Sequence, residues 1–408
     1  MTMPRRRSVL GISVSLVAVL AAVALLAPAG GIAGASNPMS PVPRGNAAPG
    51  WTDVTPSAGP PPLAGAMMAY SSAAKRFVVF GGWNGTLGTD GTWVYDPANG
   101  TWTELHPAVR PMGRGDEMFV YDARSDLFVL FGGWHELAND TYVRLGDTWT
   151  FSLASGIWTQ RHPATSPSTR SDSMVAYDAA ADAVLLVGGF SGSSYLGDIW
   201  TYTVSNDTWT PRPSDVQPSP RSDGRLVYVA SQDRLVLFGG NDYNGPNFTF
   251  HHLADTWSYD WNTNAWTLLS TPSAPPARDY PVFAVDPDAG LALLTAGYGN
   301  RTILNDIWGF NLTTNTWSDL TPSTSPPPRY AGTGGYDPVG HKFVLFSGAG
   351  NQGLLADTWV FELGSAAAPV QGLPVGILAT VAVATAAVLV AVGVWIRRRR
   401  GSGGPSRP

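Results

Sequence analysis

One motif is written six times along this chain, and its last piece has been moved to the front. Five segments carry an aromatic residue, six intervening residues and a tryptophan: Tyr95 to Trp102, Phe151 to Trp158, Tyr202 to Trp209, Tyr259 to Trp266 and Phe310 to Trp317. The sixth aromatic, Phe361, has Ala368 where its tryptophan belongs. The missing tryptophan is Trp51, in Gly50-Trp-Thr-Asp-Val-Thr-Pro-Ser57, a near copy of the stretch Thr316-Trp-Ser-Asp-Leu-Thr-Pro-Ser323. A unit that begins with its own last strand is the mark of a closed ring. The first strand can complete the last unit and so join the two ends of the repeat by hydrogen bonds.

Each unit has four parts, expected to be strands a to d. An Arg-led segment comes first, at Arg114, Arg170, Arg221, Arg278 and Arg329; the first unit has Leu63 instead. An apolar run follows and ends in glycines: Gly81-Gly82, Gly132-Gly133, Gly188-Gly189 and Gly239-Gly240, with degraded copies ending at Gly297 and Gly348. After a loop comes Asp-Thr/Ile-Trp, with Asp147, Asp198, Asp255, Asp306 and Asp357 before Trp149, Trp200, Trp257, Trp308 and Trp359; the first unit reads Gly91-Thr-Trp93. The distal tryptophan strand closes the unit. The apolar runs are short, β-branched and aromatic, and are bounded by Gly, Pro, Asn and Asp, as strands are. Their unbroken apolar character predicts burial on both faces, between neighbouring sheets. No helical period longer than a turn occurs before the C-terminal region.

These residues, recurring in register over 50–364, closely resemble the kelch-repeat family, whose units run near 50 residues with four strands per blade. The resemblance implies an all-β, six-bladed kelch-type β-propeller, in which closure abolishes long open sheet edges. The strand at Trp51 is expected to become the outer strand of the last blade, against residues from about 330 to 362. The family includes copper radical oxidases with a galactose-oxidase-like propeller. This chain resembles them in fold alone: it has no cysteine, so their tyrosine–cysteine cofactor cannot form, and no cofactor is expected.

The two ends predict where the propeller resides. Arg5-Arg6-Arg7, an apolar stretch from Val9 to Leu26 and small residues ending at Ala35 read as a signal peptide over 1–35, or as an uncleaved N-terminal anchor. Residues 36–49 and 365–372 read as linkers around the propeller at 50–364. Leu373 to Ile396 is apolar, uncharged and long enough to cross a hydrocarbon core as one C-terminal transmembrane helix. Arg397–Arg400 begin a basic tail, 397–408, that the positive-inside rule keeps cytoplasmic. The expected location is therefore the cell membrane, single-pass, with the propeller outside. Seven Asn-x-Ser/Thr sequons (Asn84, Asn99, Asn139, Asn206, Asn247, Asn300 and Asn311) fit a glycoprotein. Residues 36–372 hold 17 of the 25 basic residues and all 30 acidic ones, a net charge of −13. Such a surface repels nucleic acid, so no nucleic-acid partner is expected.

Catalytic machinery is not evident: there is no nucleophile–base pair, phosphate loop or metal-ligand spacing. The recurring arginines could ring the channel mouth and hold an anionic ligand, or pair structurally with a carboxylate or carbonyl; Asp116, Asp172 and Asp223 are the partners at hand. The aspartates before each strand-c tryptophan are expected to accept backbone N–H bonds in the turn. His251-His252 are adjacent and so point to opposite faces of a strand; a weak metal site with Asp242 or Asp255 is the alternative to solvated loop histidines, and no metal is assigned.

Function is better sought where the repeat is broken. Two loops between strands b and c are long, 134–146 and 241–254, and in a four-stranded meander they share a face with the d–a connections. Aromatics follow the glycines there. Trp83, Trp134, Phe190, Tyr243, His251 and Tyr298 are the candidate ligand-binding residues, suited to stacking on sugars or gripping an extended peptide, unless the aromatics only cover blade edges. The expected function is a membrane-tethered binding module for an extracellular protein or polysaccharide. The alternative is a carbohydrate-active enzyme (hydrolase, lyase or epimerase) using Glu136, Asp140, Asp242 or His251, which would need two of these groups about 5–10 Å apart.

Deleting residues 48–58 removes the closing strand and should lower the melting temperature far more than a surface truncation of equal length. Melting at the wild-type temperature would disprove the closure.

Overall fold

A computed structural model of the chain describes residues 48–137, 141–243 and 250–364. The N-terminal residues 1–47, the transmembrane helix expected over 373–396, the basic tail and Asp140 lie outside the described residues. Among the described residues no helix is long and apolar enough to cross a membrane.

Six four-stranded antiparallel sheets follow one another. Blade 1 is Ala64–Ser71, Arg76–Trp83, Thr92–Asp96 and Thr101–Leu105, strands a to d from the inside outwards. The other inner strands begin at Met118, Met174, Arg225, Val282 and Thr333. Blade 6 is built from Thr333–Asp337, Lys342–Gly350, Gly353–Glu362 and, as its outer strand, Gly50–Asp53 from the other end of the chain. Trp51 lies opposite Phe361 and Asp53 opposite Trp359. Past the strand, Val54 N–H donates to the Thr358 carbonyl at 2.9 Å, and Thr358 N–H donates to Thr55 Oγ1 at 2.9 Å. The expected closure is the one observed.

The apolar core is six clusters, one at each blade–blade interface. Successive strand-b residues alternate between the two flanking clusters, because side chains alternate across a strand. Phe77 and Val79 face blade 6 while Val78 and Phe80 face blade 2. Phe128 and Leu130 face blade 1 while Val129 and Phe131 face blade 3. All eight are at most 1% exposed, so each contributes roughly 1.5–3 kcal/mol of burial. This is the physical content of the unbroken apolar runs.

Each distal tryptophan enters the interface with the preceding blade, and the Asp-Thr/Ile-Trp motif decides whether its indole N–H is satisfied. Trp158 donates to Thr92 Oγ1, Trp209 to Thr148, Trp317 to Thr256, and Trp102 to Thr358 across the seam, all at 3.0–3.2 Å. Where the motif has isoleucine, at Ile199 and Ile307, the facing tryptophans are Trp266 and Trp51, packed in the same clusters. Those two indole nitrogens are buried without a partner.

The strand-b glycines mark the point where the strand leaves its blade. In every unit the second glycine has φ between 91° and 113°, while the first position, at 58° to 71°, is Ala296 in blade 5 and Ser347 in blade 6. The left-handed region tolerates an occasional side chain; the region near 100° does not. A Cβ at Gly240 would also lie 2.5 Å from the Ser222 carbonyl oxygen. The degraded copies therefore keep the residue that geometry requires. Beyond the glycines the long b–c connections are hairpins rather than loops, Trp134–Leu137 with Thr141–Arg144 and Asn241–Tyr243 with Phe250–His252.

Replacing Thr256 by Val keeps the shape but strands the Trp317 indole. It should cost about 1–2 kcal/mol, read as a lower midpoint of chemical denaturation; an unchanged midpoint would mean this hydrogen bond contributes nothing.

Candidate functional site

The arginines of the repeat are not the site. Arg114, Arg170, Arg221, Arg278 and Arg329 are at most 2% exposed. Each guanidinium grips, with both terminal nitrogens at 2.6–2.9 Å, the aspartate before the strand-c tryptophan of its own blade: Asp147, Asp198, Asp255, Asp306 and Asp357 respectively. The same carboxylates accept the indole N–H two residues on, each at 2.7 Å. This corrects two expectations. The arginine's partner is not Asp116, Asp172 or Asp223, and the main partners of the second set of aspartates are a guanidinium and an indole rather than turn amides. Burial would raise the carboxyls of Asp147, Asp198 and Asp357, but the arginine contacts outweigh it and hold them below the ordinary carboxylate range. With every guanidinium committed, no ring of free cations lines the mouth.

Asp116, Asp172 and Asp223 do something else. Together with Gly65, Tyr280 and Ala331 they occupy equivalent places in the six blades, all in the left-handed region with φ between 50° and 64°. Their backbones link blade to blade: Asp116 N–H donates to Gly65 O, Asp172 to Asp116, Asp223 to Asp172, Tyr280 to Asp223 and Gly65 to Ala331, at 2.8–3.0 Å. The three carboxyls and the Tyr280 hydroxyl thus gather at the mouth of the central channel. Tyr280 OH lies 3.4 Å from Asp172 Oδ1, Asp172 Oδ2 accepts Ser171 Oγ at 2.6 Å, and Asp116 Oδ2 accepts the Trp134 indole at 2.7 Å.

Burial and repulsion from neighbouring carboxylates raise Asp116, Asp223 and Asp279. Asp116 is pushed up to about 7, first by burial and then by Asp172, against the pull of Trp134, Arg225 and Arg144. Asp223 is raised far above its ordinary value by burial and by the Asp172 and Asp279 charges. Asp279 is raised to about 6 by burial, partly relieved by His252 and Asn241. Asn241 bridges the last two, its Nδ2 donating to Asp223 Oδ2 at 2.9 Å and to Asp279 Oδ2 at 3.0 Å.

On the same face a pocket of about 890 Å³ opens over blades 3 to 5. Its floor is Asp172, Ser222, Asp223, Asn241, Asp279 and Tyr280; its aromatic walls are Phe190, Tyr195 and Tyr298; Arg144, His251 and Arg301 stand towards the outside. Arg144 lies over the Phe190 ring at 5.3 Å and Tyr298 packs edge-on against His252 at 5.5 Å. Both the b–c hairpins and the d–a connections contribute, as the alternation of strands requires.

Three of the six sequence candidates, Phe190, His251 and Tyr298, line this pocket. Trp134 packs on Tyr142 at 5.3 Å and holds Asp116 from outside the pocket, and Trp83 is half-buried at the equivalent place in blade 1. Tyr243 lies on the hairpin strand Asn241–Tyr243. Trp83, Trp134, Phe190 and Tyr298 share one repeat position, which is Asn241 in blade 4 and Ala349 in blade 6; each bridges the a-side segment of its own blade. Of the enzyme candidates, Asp242 and His251 face each other across the hairpin at 3.6 Å, while Glu136 sits on the other hairpin bonded to Tyr142. His252, not His251, turns inward, to 3.4 Å from Asp279. Among the described residues no group of three or more His, Cys, Asp or Glu is placed to hold a metal ion. Sequence reasoning missed Asp172, Asp223, Asp279 and Tyr280 as pocket residues; for Asp172, Asp223 and Tyr280 the signal was the offset of two from the repeat arginine, a place that the fold turns toward the axis, and Asp279 directly follows Arg278.

The chain is built of kelch repeats arranged as a six-bladed propeller. Residues 179–367 match the KLHDC2/KLHL20/DRC7 Kelch-repeats domain and residues 69–107 match the Kelch motif. Among curated proteins it is similar to the Kelch-like protein terF of Aspergillus terreus, 25% identical over 253 residues, covering 60% of this chain and 50% of that one. It is also similar to the Leucine-zipper-like transcriptional regulator 1 homolog of Drosophila melanogaster, 23% identical over 265 residues, covering 63% and 26%. Human Kelch domain-containing protein 10 is 27% identical over 167 residues, covering 38% and 36%. The chain thus spans half or less of the length of these relatives.

The raised carboxyls carry a pH signature. Between about pH 4 and pH 7 the folded state keeps protons that the unfolded chain has lost, so this contribution to stability is present at the acidic end and is lost as pH rises through the folded values. Below pH 4 the lowered carboxyls of Asp147, Asp198 and Asp357 lose theirs. The melting temperature should therefore be higher at pH 5 than at pH 7.5, by on the order of 5 °C, and Asp223→Asn should flatten the difference. A melting temperature that climbs from pH 5 to 7.5 would contradict the assignment.

Proposed function

We propose that this propeller is a binding module carried on the outer surface of a cell, holding a protein or polysaccharide ligand in the pocket over blades 3 to 5. The observation that carries the reading is the composition of that pocket: half-buried aromatic walls beside hydrogen-bonding and charged groups, the mixture that binds extended ligands by stacking and directed polar contacts. Similarity to kelch proteins supports an interaction role. The apolar stretch 373–396 followed by Arg397–Arg400 supports the tether, and the sequons support an extracellular face. Asn84 is exposed in a loop and Asn311 is half-buried at the end of its strand, and the side-chain oxygen of each accepts backbone N–H bonds.

The test is an array of polysaccharides and cell-envelope proteins probed with the full-length protein in detergent, beside Phe190→Ala, Tyr298→Ala and Trp83→Ala. The pocket variants should weaken binding about tenfold or more while Trp83→Ala binds as wild type. Equal loss in all three, or none, would move the ligand elsewhere. The full-length chain should also sediment with membranes and a chain ending at residue 364 should not; a soluble full-length protein would remove the tether.

A further inference from the structure

Charge in the pocket is sorted by depth. The acidic floor residues Asp223 and Asp279 are 5% exposed, whereas Arg301 is exposed and Arg144 half-buried at the outside. Of these two carboxyls each has one oxygen accepting from Asn241, while the other, Oδ1, is buried and meets no N–H donor; Asp223 has the acid Asp172 as its other neighbour. An unpaired buried carboxyl oxygen beside a large pocket is costly; burial and the neighbouring acids favour the protonated form while the pocket is empty, and a cation entering would stabilise the ionised form and supply the missing donor. The bases available within the protein do not do so. Arg144 is stacked on Phe190, and His252 reaches only 3.4 Å from the other oxygen of Asp279.

We infer that the pocket takes a basic side chain, Lys or Arg, from an extended peptide segment of a protein ligand, with the cation against Asp223 and Asp279. This rests on the pocket reading above and names its ligand class. The aliphatic stem of the basic residue lies between Phe190 and Tyr298, which stack on methylenes or on a guanidinium. The cations on the outside then favour an acidic or carbonyl-rich flank on the same peptide. A polysaccharide without amino groups offers the floor nothing to neutralise, so the inference selects the protein arm of the proposed function.

The experiment is a positional-scanning array of acetylated, amidated heptapeptides probed with the full-length protein in detergent micelles. Strong binders should share a Lys or Arg at one position. Replacing it by norleucine should weaken binding at least about tenfold, as should Asp279→Asn and Asp223→Asn in the protein. Asparagine matches the carboxyl in shape, and either variant that melts as a folded protein serves. Binders without a basic residue, or with one that both variants ignore, overturn the inference while leaving the pocket reading standing. Binding of chitosan oligosaccharides but of no peptide, lost in Asp279→Asn, assigns the cation to an amino sugar and also overturns it. Binding of neither peptides nor polysaccharides sinks the pocket reading itself.

Discussion

The buried arginine at the head of each of blades 2 to 6 holds two directions of the ring at once. Its side chain clamps the d–a connection to the b–c hairpin of its own blade through the bidentate aspartate and, at 2.8–3.2 Å, through the carbonyl of the first glycine position. Its backbone carbonyl accepts the second glycine's N–H of the blade before it, as in Gly133 to Arg170 and Gly240 to Arg278. A charge this deep is tolerable only because every guanidinium nitrogen finds an acceptor, the Nε included. Removing the aspartate would leave an uncompensated buried cation, at a cost on the order of 3–5 kcal/mol. The second glycine has no Cβ because the connection it meets must approach that closely.

Blade 1 shows which parts of this device are separable. It lacks both partners together, with Leu63 in place of the arginine and Gly91 in place of the aspartate. Neither is viable alone, and their joint absence leaves no orphaned charge. Leu63 instead joins the apolar cluster at the seam, and its carbonyl still accepts Gly348 N–H. Thr89 Oγ1 donates to the Gly81 carbonyl at 2.7 Å, the bond that a guanidinium makes in the other five blades. The seam therefore keeps the backbone linkage and dispenses with the ion pair. The Trp51 strand, with its own four-residue pairing, supplies the connection between the ends.

The repeat was legible because its signals are local: a strand's apolar run, a glycine at a forbidden φ, a displaced tryptophan. What was not legible depends on residues 28 to 34 positions apart. Arg114, Arg170 and Arg221 each had two candidate aspartates, and the nearer in sequence is the wrong one. At Asp116, Asp172 and Asp223 the backbone turns into the left-handed region, which swings the side chain toward the axis and away from the guanidinium two residues back. The Thr/Ile alternation was visible too, but its meaning required knowing that the facing tryptophan belongs to the next blade. Phe190, His251 and Tyr298 were legible as residues of the loop face and line its pocket; the floor beneath them was not legible, because its acids look like repeat residues.

Those acids are where the repeat departs from itself without breaking. Blades 1 and 6 place Gly65 and Ala331 at the ring position, blade 5 places Tyr280, and only blades 2 to 4 place carboxyls. At the outer position blades 1, 2, 3 and 5 carry aromatics and blade 4 carries Asn241. Asn241 is small enough to leave the pocket open above blade 4 and polar enough to bridge Asp223 and Asp279. An aromatic there would close the opening and leave both carboxyls without that donor. Symmetry holds the ring together; the pocket exists where one side of the ring has exchanged aromatic cover for charge, and a repeat position that changes chemistry while keeping its backbone is the place to look for specificity in a propeller of this kind.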